Sequence, residues 1–309
     1  MKKILVTGAT GFLGSHIVEE LVNKNYKVLA LKRKSSNLWR CDSFADKVLW
    51  INCDNNGGAE IDIVRYNPDI LLHAAWNGVK SEDRDNWIEQ EKNLSFLVSL
   101  LEIVKKTNIK KIISLGSQAE YGSFEGSVDE TFPCNPTSAY GANKLCASML
   151  LKSFAELNQL EWYWIRIFSV FGKRENNNWL IPTVISKLLL KEPISLTACE
   201  QKYNYLYIAD FINQFLSIVQ TVENKSGIFN LCNTESISLR ELLLQITSLM
   251  GVSDKLLLFG KIPYWSGQNM LIAGDNSKFK KCFPLDTKDQ IGLKNGLIRT
   301  IEYHKIQIF

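Results

Sequence analysis

The stretch TGATGFLG at 7–14 limits what this chain can fold into more than any other segment. It follows the short apolar run Ile4-Leu5-Val6 and precedes Ile17, Val18, Leu21 and Val22, which recur at helical spacing. That order is strand, glycine-rich turn, helix. Gly8, Gly11 and Gly14 allow backbone angles that other residues resist and leave room for a pyrophosphate at the helix N-terminus. A glycine cluster by itself also fits an ordinary turn. Directly after a first strand it predicts a dinucleotide site, with Gly8, Thr10, Gly11, Phe12 and Leu13 around the phosphates.

Strand and helix signals alternate from there. Lys27 to Leu31 reads as a second strand, and Lys32, Arg33, Lys34, Ser35 and Ser36 follow it with no acid. An Asp or Glu at that edge would hold a ribose 2′-hydroxyl, whereas Lys32 and Arg33 suit a 2′-phosphate. The plain alternative is a solvated basic loop. Val48 to Ile51 reads as a third strand, and Asp54 beyond it is placed to accept from an adenine amino group. Gly57-Gly58 breaks the chain before a short helical stretch that ends at Asn67-Pro68. The strand Asp69–His73 leads into Ala74 and Ala75, small residues where a cofactor can pass close to the backbone. His73 reads as a packed, hydrogen-bonded residue. From Trp87 to Lys106 the apolar positions Ile88, Leu94, Leu97, Val98, Leu101 and Val104 cover more helix surface than one sheet contact requires. Ile109 to Leu115 returns as a buried strand. The pattern predicts an α/β, Rossmann-like, doubly wound parallel sheet, with reactive residues beyond the carboxyl ends of its strands.

The stretch SLGSQAEYG at 114–122 occupies such an end, and Tyr140-Gly-Ala-Asn-Lys144 follows. Tyr140 and Lys144 are four apart, on one helix face. A lysine charge beside a phenol favours the phenolate and eases proton exchange. Any helix can carry that pair. With Ser117 upstream and a nucleotide turn at the start, it predicts a proton-transfer centre. Ser138, just before the helix, reads first as an N-cap.

Composition removes several classes. The 309 residues are 46% hydrophobic, which supports a substantial core and one or two domains. The net charge of +4 has no basic block, arguing against nucleic acid as a partner, though a positive cleft could draw a phosphorylated substrate. No apolar run is long enough for a membrane span and no signal-peptide pattern opens the chain, so the expectation is cytoplasmic. Seven scattered cysteines without a CxxC pair, and three histidines, predict neither a disulfide framework nor a metal site.

The chain resembles the extended short-chain dehydrogenases/reductases, the nucleotide-sugar epimerase, dehydratase and ketoreductase group. The resemblance is carried in order by TGATGFLG, HAA at 73–75, Asn93, Ser117, YGANK at 140–144, RIFSVFG at 166–172, IP at 181–182 and YLYIAD at 205–210. It implies that Tyr140 is the acid/base, Lys144 the cofactor-ribose ligand, and Ser117 the hydroxyl orienting the reacting oxygen. Asp54 resembles the adenine contact, and Ala74, Ala75 and Asn93 line the cofactor. Members pair through two long helices, here about 87–106 and 139–157, so a homodimer is implied.

Departures from the pattern narrow the activity. Dehydratases of the family follow this serine or threonine with Asp-Glu, and Gln118-Ala119 stand there instead. Ser169 replaces an expected asparagine, and Tyr203, beside Lys202, replaces the arginine that meets substrate diphosphate. The GSQAEYG form is most similar to reductases of 4-keto-6-deoxy sugars linked to dTDP or CDP.

Beyond residue 170 the chain reads as a smaller, partly discontinuous substrate-binding domain. The expected division is 1–170, with 203–222 returning to it, against 171–202 and 223–309. Trp179 to Leu190 reads as a helix with Pro182 in its first turn. Tyr203, Tyr205 and Tyr207 alternate as a strand, and Asp210 opens the next helix. Gly227 to Leu231 reads as a strand, and Ser238-Leu-Arg-Glu241 as a capping box. The tail 261–296 is rich in turns, and Arg299 is a surface residue or a phosphate contact. The expected substrate groups are Ser117, Gln118, Tyr140, Ser169, Trp179, Lys202 and Tyr203. The resemblance, taken with the basic end of the second strand, implies an NADPH-dependent 4-ketoreductase of a nucleotide-linked deoxysugar, of the dTDP-4-dehydro-6-deoxyglucose reductase type, serving O-antigen or polysaccharide synthesis. A C4 epimerase with tightly held NAD and a non-enzymatic nucleotide-binding scaffold are the alternatives.

Overall fold

The computed structural model describes residues 2–54, 58–265, 268–285 and 290–308; Gly57 and parts of the turn-rich tail lie outside them. The first half runs β1 (Lys3–Thr7), α1 (Phe12–Asn23), β2 (Lys27–Lys32), β3 (Leu49–Asn52), α2 (Gly58–Tyr66), β4 (Ile70–His73), α3 (Trp87–Val104) and β5 (Lys111–Ser117). Parallel ladders join β1 to β2 and β4, β2 to β3, and β4 to β5. Their register aligns Leu29, Leu5, Leu71 and Ile112 in one row across four strands. Successive side chains alternate between faces, so this row points to one side. There it packs with Ile63 of α2 and with Leu97, Leu100 and Leu101 of α3. Ile4 and Val6 alternate to the other face, where α1 lies along β1 and β2 with Ile17, Val18 and Leu21 buried.

The chain continues through β6 (Ser127–Val128), α4 (Ala139–Leu157), β7 (Glu161–Ile167), β8 (Ser169–Phe171), α5 (Leu180–Leu189), β9 (Ile194–Ser195), β10 (Lys202–Tyr203), β11 (Tyr205–Tyr207), α6 (Ile208–Gln220) and β12 (Gly227–Leu231). β13 (Ile237–Ser238), α7 (Leu239–Met250), β14 (Leu257–Leu258), β15 (Leu271–Gly274), α8 (Ser277–Cys282) and α9 (Gly292–Ile308) complete it. The seven-stranded sheet has the order β12-β7-β5-β4-β1-β2-β3. Helix α4 lies beside α3, and its Ala147, Leu151 and Ala155 join the core of that face.

Two compact units emerge. One comprises the chain to Gly122, Phe132–Arg166 and Leu216–Phe229; the other comprises Ser123–Thr131, Ile167–Phe215 and the chain from Asn230. The segment that returns to the first unit is thus 216–229, in place of 203–222, because β12 adds to the sheet edge beside β7. Within the second unit, β13-β10-β15-β6 form a small sheet and α9 packs on α5, α7 and β11. The tyrosine run does not form one strand. Tyr203 pairs in the small sheet while Tyr205 and Tyr207 pair with β8, and between them Asn204 Oδ1 accepts from Gly274 N at 2.9 Å. Helix α6 starts at Ile208, two residues before Asp210. The Asp210 carboxylate instead accepts from the amides of Ile291 (2.8 Å) and Gly292 (3.0 Å) at the start of α9. The turn-rich tail holds a strand, β15, that its sequence does not announce. Both capping serines behave as read: Ser138 Oγ accepts from Gly141 N, and Ser238 and Glu241 close a reciprocal box.

Candidate active site

The glycine turn sits at the carboxyl end of β1, and its shape follows from the neighbouring strand. Gly8 has φ +72°, and a Cβ there would lie 2.5 Å from the Ala74 carbonyl carbon and the Ala75 nitrogen. A Cβ at Gly14 would lie 2.1 Å from the Gly8 carbonyl oxygen. The first turn of α1, with Phe12 and Leu13, begins at Gly11 with no side-chain cap and no acid. Its amides and the positive end of the helix therefore suit an anion. This cradle fits the pyrophosphate of a dinucleotide.

Beside it, Ala75 N donates to Thr7 Oγ1 at 3.2 Å, and Thr7 Oγ1 lies 2.9 Å from His73 Nδ1. His73 is a buried packing residue. Burial first, and the Lys144 charge second, lower its pKa to about 3, so it is neutral. Asn93 of α3 holds the loop that follows, accepting from Asn77 N at 2.7 Å and donating to Asn77 O at 3.2 Å. At the end of β2, the exposed Arg33 donates to Asn77 Oδ1 at 3.3 Å. Asp54 accepts from Lys34 N at 2.5 Å, which ties the carboxylate to the basic turn.

Strand β5 ends in Ser117, whose Oγ accepts from Ala119 N at 3.1 Å. Tyr140, buried on the first turn of α4, hydrogen-bonds to Ser117. Burial raises the phenol's pKa, while the Ser117 bond and the Arg84 charge pull it back. Arg84 lies with its guanidinium carbon 5.1 Å from the Tyr140 ring centre, and its carbonyl accepts from Tyr140 N at 2.8 Å. Lys144, one turn further on, donates to Leu115 O at 2.7 Å. Its Nζ is 6.0 Å from the Tyr140 ring centre and 3.7 Å from that of Trp76. Burial pulls Lys144 down to about 7, against the opposing charge of Glu120.

Glu120 is fully buried under this group. Its Oε1 accepts from Ser117 N (2.8 Å) and Trp164 Nε1 (2.9 Å), and its Oε2 from Arg166 Nε (2.9 Å). Sequence reasoning passes over Trp76, Arg84 and Glu120. Trp76 and Arg84 reach the site across long chain separations, so no local spacing points to them, whereas Ser117-x-x-Glu120 is a capping-box spacing that could have drawn attention to Glu120. Gln118 is half-buried in the 3-10 turn between Ser117 and Tyr121.

The remaining expected substrate groups belong to the second unit. Ser169 pairs with Tyr205 across β8 and β11. Trp179 precedes α5 and is 37% exposed. Lys202 is exposed, and Tyr203 stands 5.7 Å from the Tyr205 ring with its hydroxyl near Gln268 Nε2 at 3.4 Å. Burial raises the Tyr203 phenol. No helix among the described residues is long and apolar enough to cross a membrane.

A doubly wound sheet with an open glycine turn at its first strand, and serine, tyrosine and lysine at the ends of β5 and α4, defines the class: an extended short-chain dehydrogenase/reductase. Within it, the chain belongs to the NAD dependent epimerase/dehydratase family, whose pattern matches residues 4–232. It is 30% identical over 248 residues to a dTDP-6-deoxy-L-talose 4-dehydrogenase (NAD(+)) of Aggregatibacter actinomycetemcomitans, covering 77% of this chain and 86% of that one. It is 26% identical to a putative UDP-glucose 4-epimerase of Methanocaldococcus jannaschii, covering 98% of both. The UDP-glucose 4-epimerase of Thermotoga maritima, solved with UDP-glucose, has a TM-score of 0.88 at 23% identity, covering 99% of this chain and 100% of that one. That last likeness is one of fold.

Proposed function

We propose that this protein reduces the C4 ketone of a dTDP- or CDP-linked 4-keto-6-deoxyhexose with NADPH, in deoxysugar synthesis for a surface polysaccharide. The observation that carries the reading is the buried Tyr140 phenol, hydrogen-bonded to Ser117 and kept in its acid form by burial. The nicotinamide, when bound, supplies the hydride. Tyr140 donates its proton to the ketone oxygen, and Ser117 shares the developing charge. Lys144 and Arg84 provide the positive field in which the phenolate is tolerated. Gln118 and Ala119 cannot serve as the acid pair of a dehydration, and the nearby Glu120 already has both oxygens engaged in the core. The talose 4-dehydrogenase relative acts at sugar C4 by name, consistent with this oxidoreduction.

NADP(H) is proposed over NAD(H) because Lys32, Arg33 and Lys34 end β2 without an acid. The proposed substrate groups remain Ser117, Gln118, Tyr140, Ser169, Trp179, Lys202 and Tyr203. The protein is further proposed to be a homodimer through α3 and α4. A second reading, C4 epimerisation with retained NAD, is favoured by the putative epimerase relative matched along 98% of the chain.

The experiment offers dTDP- and CDP-4-keto-6-deoxyglucose with NADPH, and UDP-hexoses without added cofactor, with absorbance and NMR as readouts. One NADPH consumed per sugar is expected. Inversion at C4 with no net oxidation of NADPH establishes the epimerase reading instead.

A further inference from the structure

The indole of Trp76 is unaccounted for by the family's motif residues. It follows Ala74 and Ala75 on the loop after β4. Its ring centre lies 3.7 Å from Lys144 Nζ and 6.2 Å, edge-on, from the Tyr140 ring. Its orientation is fixed from behind. Trp76 Nε1 donates to Gln90 Oε1 at 2.8 Å. Gln90, fully buried on α3, donates through Nε2 to Gly78 O at 2.7 Å and Asp83 O at 3.3 Å. Residue 78 leaves space for that amide, since a Cβ there would lie 2.5 Å from Nε2. Gly78, Gln90 and Trp76 therefore set one aromatic face against one ammonium.

Lys144 is 4% exposed, and removal from water favours its neutral form. Several groups face it. Leu115 O on β5 accepts from Nζ, Glu120 after β5 supplies negative charge, and Tyr140 stands one turn away on α4. His73 on β4 is neutral, the Trp164 ring on β7 is 6.0 Å away, and Arg84 lies over the far phenol. The oxygens of Glu120 already accept from Ser117, Trp164 and Arg166. An aromatic face stabilises an ammonium over an amine, most strongly when water is excluded.

We propose that Trp76 is a positioning residue for Lys144: its indole face holds Nζ in place as a cation at neutral pH, and Gln90 holds the indole. The inference rests on reading Lys144 as the charge that serves Tyr140. Its test needs neither substrate nor cofactor, so a wrong substrate assignment leaves it intact.

The test labels lysine Cε with 13C in the full-length protein and assigns Lys144 from the signal lost in Lys144→Arg. The titration runs from about pH 5 to about pH 11 in the parent, Trp76→Leu, Trp76→Phe and Gln90→Met. The Lys144 midpoint is expected to fall by about one pH unit in Trp76→Leu. Smaller falls are expected in Trp76→Phe, which keeps an aromatic face, and in Gln90→Met, which frees the indole. An unchanged midpoint in a folded Trp76→Leu overturns the proposal, whatever happens to activity. Should Trp76→Leu fail to fold, the other two variants decide, and unchanged midpoints in both overturn it equally.

Discussion

Tyr140 and Ser117 are coupled through one hydrogen bond, and each makes a separate prediction. Tyr140→Phe removes the transferable proton and almost no volume. It is expected to fold, to bind NADPH as the parent does, and to lose on the order of 10²–10⁴-fold in turnover. Near-parental turnover would exclude Tyr140 as the acid. The Ser117 bond lowers the Tyr140 pKa, so Ser117→Ala should move the alkaline limb of the rate profile to higher pH while turnover falls. Glu120 makes a different kind of claim. Its side chain and that of Arg166 are 0% and 3% exposed and paired at 2.9 Å. Glu120→Ala strands a buried guanidinium and frees the Ser117 amide, for an expected loss of about 3–5 kcal/mol in urea unfolding. Glu120→Gln keeps an acceptor and should lose less. Equal stability of the alanine variant and the parent would contradict the pairing.

The strand–turn–helix of β1 and α1 is the proposed site of cofactor binding. Gly14→Ala would place a methyl 2.1 Å from the Gly8 backbone oxygen, which forces the turn open. The expected result is a folded protein with severely weakened NADPH binding, measured by titration calorimetry; parental affinity would show that the turn is not the phosphate cradle. The end of β2 is proposed to select NADPH over NADH. Loss of one charge-assisted contact in Arg33→Ala should weaken NADPH by about 1.5–3 kcal/mol and leave NADH little changed. An equal loss for both cofactors counts against the 2′-phosphate assignment. These elements were readable in sequence because β1 to β5 are continuous apolar runs and α3 and α4 carry long helical periods. β6, β9, β10, β13 and β14 have two residues each, too few to show a period. The tyrosines at 203–207 keep strict alternation although the backbone changes partners at Asn204, so periodicity misleads there. Asp210 looks like an ordinary helix-opening acid until α9 folds back and presents its amides. Ser117, Tyr140 and Lys144 were legible as a motif, whereas Trp76 and Gln90 gain meaning only when β4 and α3 bring them together.

At the scale of the whole molecule, the breadth of the apolar pattern on α3 and α4 exceeds what the core uses. Leu97, Leu100 and Leu101 of α3 and Ala147 and Leu151 of α4 are buried against the sheet. Ile88 is 74% exposed and Met149 63%, with Trp87, Val98, Leu150 and Leu157 also exposed. Their spacing places Ile88 and Val98 on one side of α3, and Met149, Leu150 and Leu157 on one side of α4. Between the two helices lies a groove of about 530 Å³ lined by Trp87, Ile88, Leu94, Ala142 and Cys146, with Glu91 and Asn143. Scattered exposed apolar residues require no explanation, but an apolar groove between two adjacent long helices does. A second copy meeting the same face through a two-fold axis would cover it on both molecules at once. The proposed dimer therefore predicts that the 35.2 kDa chain sediments at about twice that mass. Ile88→Glu with Met149→Glu should convert it to a monomer, since a charge at the centre of an apolar interface must be desolvated without a partner. Both residues point away from the core, so the variant is expected to keep the parental far-UV circular dichroism. A parent that sediments as a monomer at micromolar concentration, or a double variant that remains a dimer, would refute this assignment of α3 and α4.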